Sequence, residues 1–422
     1  MPQSLHGRIR IPGDKSISHR GIMLGSIARG MTELFGFLDG ADCRSSIACF
    51  RQLGVDIIQE GDHIRILGGG LHGLQQPKEI LNVGNSGTTA RLMSGILAGQ
   101  SFPSSLTGDA SIRRRPMTRI IDPLHAMGAR IRSRRDDGCA PLDIEPSALR
   151  GIAYLSPLAS AQVKSSVLLA GLYAQGKTSV TEPAKSRDHS ERMLRAFGAD
   201  LIEDGLTVSI SPNPDLTGQK IHVPGDISSA AYWIAAASII PGSEIIIENV
   251  NINPTRDGIL HIARAMGADI EEINPHTVSQ EPVADLFVRS AGLHGTRVDG
   301  PIIPRLIDEI PVIALMAACA EGETTIADAH ELRVKESDRI ESMVKNLSAM
   351  GVSVTGTDDG MVICGGASLR GADIVTCHDH RIAMTFAVAS LLADGPVHLD
   401  DPDCVSVSYP GFYRSLQLLL GQ

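Results

Sequence analysis

The sequence predicts an α/β protein of two domains, each made of three βαβαββ units whose buried helices are surrounded by sheets, an inside-out α/β barrel. Three signals in phase predict it. The phrase Leu-x-Gly recurs at SLHG (4–7), GLHG (70–73), ALRG (148–151), DLTG (215–218), GLHG (292–295) and SLRG (368–371). About two dozen residues after each of these glycines an apolar segment ends in another glycine, at Gly30, Gly99, Gly176, Gly242, Gly322 and Gly395. The endings QLGV (52–55), AMGA (126–129), AFGA (196–199), AMGA (265–268) and AMGV (349–352) close five copies, and the sixth stops short. Self-similarity at a fixed period marks a repeat architecture. Glycine at these points fits helix ends and turns that need positive φ.

The first copy supplies the elements. GRIRI alternates as a short strand, and SISHRGIMLGSIARG reads as a helix stopped by Gly30. TELFGFL is a strand. DCRSSIACFRQLG is a helix opened by Asp42 and closed by Gly54. VDIIQ and HIRIL follow as two strands joined by a turn. In later copies the first helix is apolar on nearly every face, as in ARLMSGILAG, VKSSVLLAGLYAQG, AAYWIAAASII, PVIALMAACA and IAMTFAVASLLA. Such helices belong inside, whereas second helices such as SERMLRAFG are amphipathic. Six copies are too many for one core, so three and three divide near residues 219–226.

The bulk numbers agree with a globular chain. At 422 residues with 43 % apolar content it is long enough for two or three domains. A net charge of −10 argues against nucleic acid or an anionic membrane as the main partner. Seven cysteines without a CxxC pair read as free thiols of a reducing compartment. No basic-then-apolar leader opens the chain, and Pro241 and Glu244 interrupt the most apolar region, 228–247. A cytoplasmic monomer is the expectation. GGGLHG (68–73) matches a dinucleotide fingerprint formally, but Pro77 spoils the helix that should follow and GLHG recurs as a repeat boundary.

Charge gathers where the buried helices begin: DKSISHR (14–20), NSGTTAR (85–91), SAQVKSS (160–166), GDISS (225–229), DEIP (308–311) and HDHR (378–381). Lys15, Arg20, Arg91, Lys164 and Arg381 sit there, although a cation at a helix N-terminus is unfavourable. Their recurrence points to a bound anion. GDASIRRRPM (108–117) adds three arginines before a helix that opens at Pro116 and must bend or break at Pro123. Arg115 falls at the cap and suits a carboxylate or phosphate, while Arg113 and Arg114 read as a solvated loop. In ELRVKESDR (331–339), Lys335, Glu336 and Arg339 alternate in sign, as in a salt-bridged helix start. Asp308 reads as an N-cap or, with Glu336, as a base and an acid among cations. His378 and His380 lack a third ligand at metal-binding spacing, so helix opening and anion contact are the better reading.

These motifs in this order, together with SRDHSERML (186–194), resemble the 3-phosphoshikimate 1-carboxyvinyltransferase (EPSP synthase) family of enolpyruvyl transferases, from about residue 5 to 415. The resemblance implies that the first strand joins the C-terminal domain. The domains would then span 13–224 and 1–12 with 225–422, with the active site in the cleft between them and closure driven by shikimate 3-phosphate. It implies transfer of the enolpyruvyl group of phosphoenolpyruvate to the 5-hydroxyl of shikimate 3-phosphate, in chorismate and aromatic amino-acid biosynthesis, with no cofactor and no metal. Asp308, Glu336, Lys335 and Lys15 are the implied catalytic residues. Lys15, Ser16, Arg20, Ser160, Gln162, Ser186, Asp308 and Lys335 would hold shikimate 3-phosphate. Lys15, Gly87, Arg115, Gln162, Arg339 and Arg381 would hold phosphoenolpyruvate, with Asn85, Arg91 and His380 in support.

Departures accompany the match. Ala161 stands where some relatives carry a second serine, and Val407 stands where many carry a phosphate-binding lysine. NSGTTARL, with Gly87 leaving room beside the backbone, implies sensitivity to glyphosate. A related family transfers the same group to UDP-N-acetylglucosamine, but Ala110 replaces its loop cysteine. The repeats and helix-end cations alone also fit a non-catalytic anion-binding protein. Asp308, Lys335 and Glu336 favour catalysis.

Overall fold

A computed structural model describes residues 3–421 of the chain. Two units emerge: Gly13–Val223, and the segment ending at Pro12 together with the chain from Pro224 onward. Each has its own hydrophobic core.

In the Gly13–Val223 unit, the inner helices are Lys15–Ile27, Gly87–Ala98 and Ala161–Gly171. The second packs against each of the others. Its contact with the third is close: a Cβ on Gly95 would lie 2.1 Å from the Ser166 carbonyl oxygen, so only glycine fits there. Three four-stranded sheets belong to this unit, all built alike. In the first, Lys220–His222 runs parallel to Arg29–Phe35, which pairs antiparallel with His63–Gly69, and that strand pairs with Asp56–Glu60. Thr178–Thr181 likewise has the parallel neighbour Ala153–Leu155 and the antiparallel neighbour Thr207–Ile210.

In the second unit, the inner helices Ile227–Ile239, Ile310–Cys319 and His380–Ala389 pack mutually. Residues 227–238 are all buried, as a helix apolar on every face requires. His6–Arg10 runs parallel to Glu244–Asn251 and so completes the sheet of the fourth copy. The edge strand of the first copy comes from 220–222 and that of the fourth from the start of the chain. The two units therefore exchange edge strands in sequence. The sixth copy has a two-stranded sheet, Asp373–Ile374 with His398–Leu399. In place of an outer helix it ends with Phe412–Leu419. Phe412 stacks on Trp233 with ring centroids 5.0 Å apart, and the Trp233 indole N–H donates to the Tyr409 hydroxyl at 3.1 Å. This aromatic cluster fastens the C-terminal helix to an inner one.

Three local expectations change. Gly30 does not stop the first helix: the helix ends at Ile27, Ala28 turns extended, and Gly30 is the second residue of a strand at φ +86°. Gly176, Gly242, Gly322 and Gly395 also have positive φ, so the second glycine signal marks the helix-to-strand turn. Gly99, at φ −90°, does cap its helix. Asp42 is not the cap of the second helix, because Gly40 holds that place and the Asp42 carboxylate pairs with Lys15. The helix after GDASIRRRPM begins at Thr118, not at Pro116, and runs to Ala126 through Pro123. None of the described helices is long and apolar enough to cross a membrane.

Candidate functional site

The inner helices begin with side-chain caps in five of six cases. Asp14, Ser86, Ser160, Asp226 and Asp379 each accept a backbone N–H of the first turn, and Glu309 caps the remaining helix without such a bond. These caps fix the position of the first turn, and the candidate residues Lys15, Ser16, Gly87, Gln162, Asp308, His380 and Arg381 stand on it or just before it.

In the Gly13–Val223 unit, Lys15 and Ser16 open the first inner helix, and the Lys15 ammonium lies 2.7 Å from the Asp42 carboxylate. Arg20, one turn further, is buried. It donates to Ser190 Oγ at 2.7 Å, Ser165 Oγ at 3.0 Å and the Ser16 carbonyl at 3.0 Å. Gly87 is the first residue of the second inner helix, and a Cβ there would meet the Arg115 guanidinium at 3.1 Å. Arg115 is buried and reaches the Asn85 carbonyl at 3.5 Å. Asn85 in turn donates to Asp109 at 2.7 Å. Arg91 donates to Gln162 Oε1 at 2.5 Å and to the Pro116 carbonyl at 3.1 Å. Gln162 is further oriented by donating to Thr88 Oγ1 at 3.1 Å. Gly87, Arg115, Asn85, Arg91 and Gln162 thus form one connected cluster. Ser160 caps the third inner helix, and Ser186 lies in the loop before helix His189–Ala196. The Ser186 hydroxyl is buried and has no hydrogen-bond partner among the described residues.

The arginine triplet divides as expected. Arg113 and Arg114 are exposed, whereas Arg115 is buried. Arg115 is not the cap of the helix that follows, however: Met117 holds that place, and Arg115 ends the short 3-10 turn Ile112–Arg114. Lys164 departs further. It is buried between Glu182, at 2.8 Å, and Glu191, at 2.7 Å, and its charge is satisfied by protein carboxylates. Burial opposes its charge, but the two glutamates hold its ammonium above the usual lysine range. Lys164 is therefore no sign of a bound anion.

In the second unit, Asp308 precedes Glu309, which holds the cap position of the inner helix. The Asp308 carboxylate lies 3.2 Å from Lys335, 3.3 Å from Arg339 and 3.9 Å from Arg381. Arg339 opens helix Arg339–Ala349 and is buried. It is gripped by Asp379 at 2.8 Å and by Glu336 at 2.7 Å. Asp379 also caps the inner helix on which His380 and Arg381 stand, so one carboxylate orients both arginines. Arg381 donates to the Asp308 carbonyl at 3.0 Å and lies 3.7 Å from Glu309. Burial opposes charge on Arg339 and Arg381. Asp379 and Glu336 on the first, and Asp308 on the second, outweigh it and hold both above the usual arginine range. Burial pushes the Lys335 ammonium below the ordinary lysine range, against the pull of Asp308.

The second cluster combines two carboxylates with an ammonium of lowered basicity and two fixed guanidinium groups. Asp308 and Glu336 are linked through Arg339, an arrangement suited to moving a proton beside a bound anion. His380 is buried beside Arg381, while exposed His378 pairs with Asp401 at 2.5 Å. No group of three His, Cys, Asp or Glu that could hold a metal occurs among the described residues. Val407 ends the turn Pro402–Val407, and residues 402–411 contain no cation. The sequence reading missed the organisers: Asp379, Glu309 and Asp42. Asp379 was legible only as a cap. Its grip on Arg339, 40 residues earlier, has no local signal.

The family described as EPSP synthase (3-phosphoshikimate 1-carboxyvinyltransferase) matches residues 1–416. A protein of that name from Brevibacillus brevis is 54 % identical over 414 residues, covering 98 % of this chain and 97 % of the relative. Another from Bacillus thuringiensis subsp. konkukian is 52 % identical over 417 residues, with the same coverage of both chains. Among solved structures, EPSP synthase from Acinetobacter baumannii superposes with a TM-score of 0.88 at 44 % identity, covering 99 % of this chain and 96 % of that one. The enolpyruvyl transferase NikO from Streptomyces tendae shares the fold, with a TM-score of 0.80 at 17 % identity and coverage of 99 % and 95 %. By sequence over nearly its whole length and by fold, this chain belongs to the EPSP synthase family.

Proposed function

We propose that the protein transfers the enolpyruvyl group of phosphoenolpyruvate to the 5-hydroxyl of shikimate 3-phosphate, giving 5-enolpyruvylshikimate 3-phosphate and phosphate. Membership of the family supports this. The observation that carries it at the level of chemistry is Asp308 among Lys335, Arg339 and Arg381, with Glu336 on the same arginine. A non-catalytic anion binder has no use for two carboxylates inside its cationic cluster.

The reaction needs a base, an acid and charge stabilisation. In the proposed sequence, Asp308 takes the proton of the 5-hydroxyl as its oxygen attacks C2 of phosphoenolpyruvate. Glu336 delivers a proton to the methylene carbon, which becomes a methyl group. The tetrahedral adduct then loses a proton from that methyl group and its C–O bond to phosphate breaks. Lys335, with its lowered basicity, shares in the proton transfers, and Lys15 contacts both substrates. Arg115, Arg339, Arg381, Gly87 and Gln162 hold phosphoenolpyruvate. Ser16, Arg20, Ser160, Ser186 and Gln162 hold shikimate 3-phosphate, with Asp308 and Lys335 at its reacting end. Asn85, Arg91 and His380 support them. Preorganised guanidinium groups are worth most where negative charge is bound away from water.

The proposal requires the clusters of the two units to act on one substrate pair, with closure on binding shikimate 3-phosphate. It includes a monomer acting in the cytoplasm, for which the seven free cysteines speak, and sensitivity to glyphosate. The test is phosphate release from phosphoenolpyruvate with shikimate 3-phosphate or UDP-N-acetylglucosamine as acceptor, in the parent and in Asp308→Ala. Release that depends on shikimate 3-phosphate and is lost in the variant is expected. Release with the sugar nucleotide alone, or with neither acceptor, refutes it.

A further inference from the structure

The proposed reaction gives no step to the buried ions Lys164, Glu182 and Glu191. All three side chains are almost fully buried. Ions at such depth are a weak source of stability, since apolar side chains of the same volume often do as well. Their contacts point to a different use. Glu182 Oε1 accepts the backbone N–H of Ser160 at 3.0 Å, and its Oε2 accepts that of Ser186 at 3.5 Å. The Lys164 ammonium donates to the carbonyl of Ser186 at 3.4 Å. Both backbone polar groups of Ser186 are thus clamped within a loop that has no regular structure. The same network reaches Arg20. It bonds to Ser165, next to Lys164, and to Ser190, next to Glu191. The Ser186 hydroxyl, buried and without a partner among the described residues, is what this clamp presents.

We propose that Lys164, Glu182 and Glu191 form a buried ion triad that positions Ser160 and Ser186 for the phosphate of shikimate 3-phosphate. This rests on the function proposed above. Glu182 ties two separate backbone segments to one carboxylate, Lys164 neutralises that carboxylate, and Glu191 anchors Lys164 to helix His189–Ala196. The three are positioning residues and touch no reacting atom.

Glu182→Gln keeps the shape of the side chain but turns one oxygen into a donor. That donor faces either a backbone N–H or the Lys164 ammonium, so one bond of the clamp is lost. Calorimetric titration with shikimate 3-phosphate and steady-state kinetics read the effect. The dissociation constant and the KM for shikimate 3-phosphate are expected to rise about ten-fold or more. The KM for phosphoenolpyruvate and kcat at saturation should stay within about two-fold. Lowered thermal stability with unchanged affinity for shikimate 3-phosphate makes the triad merely structural and overturns the proposal. A parent protein that fails to bind shikimate 3-phosphate overturns the functional reading and the proposal together. If Glu182→Gln does not fold, Glu182→Asp serves. It keeps the charge that Lys164 needs but shortens its reach, weaker binding is again expected, and unchanged binding is again decisive against the triad.

Discussion

Asp379→Asn isolates one charge at the centre of the second cluster. Asp379 is fully buried and Arg339 nearly so. One carboxylate oxygen accepts the Arg381 backbone N–H at 3.0 Å and Arg339 Nη2–H at 3.2 Å, bonds that the asparagine oxygen can retain. The other accepts Arg339 Nε–H at 2.8 Å and the Ser337 hydroxyl at 3.0 Å. In asparagine that position becomes an NH2 group facing donors. Removing one partner of a buried ion pair costs about 3–5 kcal/mol. Arg339 keeps Glu336 at 2.7 Å and Asp308 at 3.3 Å, so a cost below that range, about 2–3 kcal/mol, is expected. For a unit of this size that lowers Tm by about 5–10 °C. Burial alone would raise the Asp379 carboxyl, but Arg339 overrides it and holds it below the usual range. Below the ordinary aspartate pKa the unfolded chain therefore binds more protons than the native one. The contribution of Asp379 is complete above that pKa and is lost as pH falls through the native value. Scanning calorimetry across acid pH should show the gap between parent and Asp379→Asn narrowing as pH drops. The KM for phosphoenolpyruvate should rise while that for shikimate 3-phosphate holds. A Tm within about 1 °C of the parent at neutral pH would refute the reasoning.

Gly87→Ala places a methyl group 3.1 Å from the Arg115 guanidinium. The side chain can yield, so the expected cost is about 1 kcal/mol, a rise of about five-fold in KM for phosphoenolpyruvate, with the glyphosate inhibition constant also raised. Arg115→Ala should raise that KM by more than about ten-fold, whereas Arg113→Ala and Arg114→Ala, both exposed, should stay within about two-fold in the same kinetics. Since burial lowers the basicity of Lys335, the pH–rate profile should fall on its alkaline side below the ordinary lysine range, and in Lys335→Arg that fall should move to higher pH.

The repeat architecture was legible because glycine carries a backbone requirement that few other residues meet, and six copies in phase expose it. What Gly30 does within its copy was less so. Glycine serves both a helix end and a turn just past a helix, and the sequence alone does not say which one is built. Lys164 shows the stronger limit. At a helix start its charge resembled that of Arg20, but its partners Glu182 and Glu191 come from a later strand end and a later helix. Asp42 was misread for the same reason, since its ion pair with Lys15 is tertiary. Arg115 could be told from its two neighbours by its place next to Pro116, but its burial against Gly87 joins two elements of one copy that are far apart in sequence. Asp308 and Glu336, proposed here as base and acid, stood out among cations and took their roles from the resemblance. Their organiser, Asp379, did not stand out, because a cap residue and an arginine clamp look alike in one dimension.

The most direct measurement of the central claim is the fate of solvent hydrogen when the reaction runs in D2O. Addition places a proton from the protein on the methylene carbon of phosphoenolpyruvate, and elimination removes one from the resulting methyl group. Deuterium should therefore appear in the vinyl methylene of the product and of recovered phosphoenolpyruvate, only when shikimate 3-phosphate is present, and much more slowly in Glu336→Gln. Product formed at the parent's normal rate with no deuterium in its methylene would contradict the addition–elimination account and the role given to Glu336.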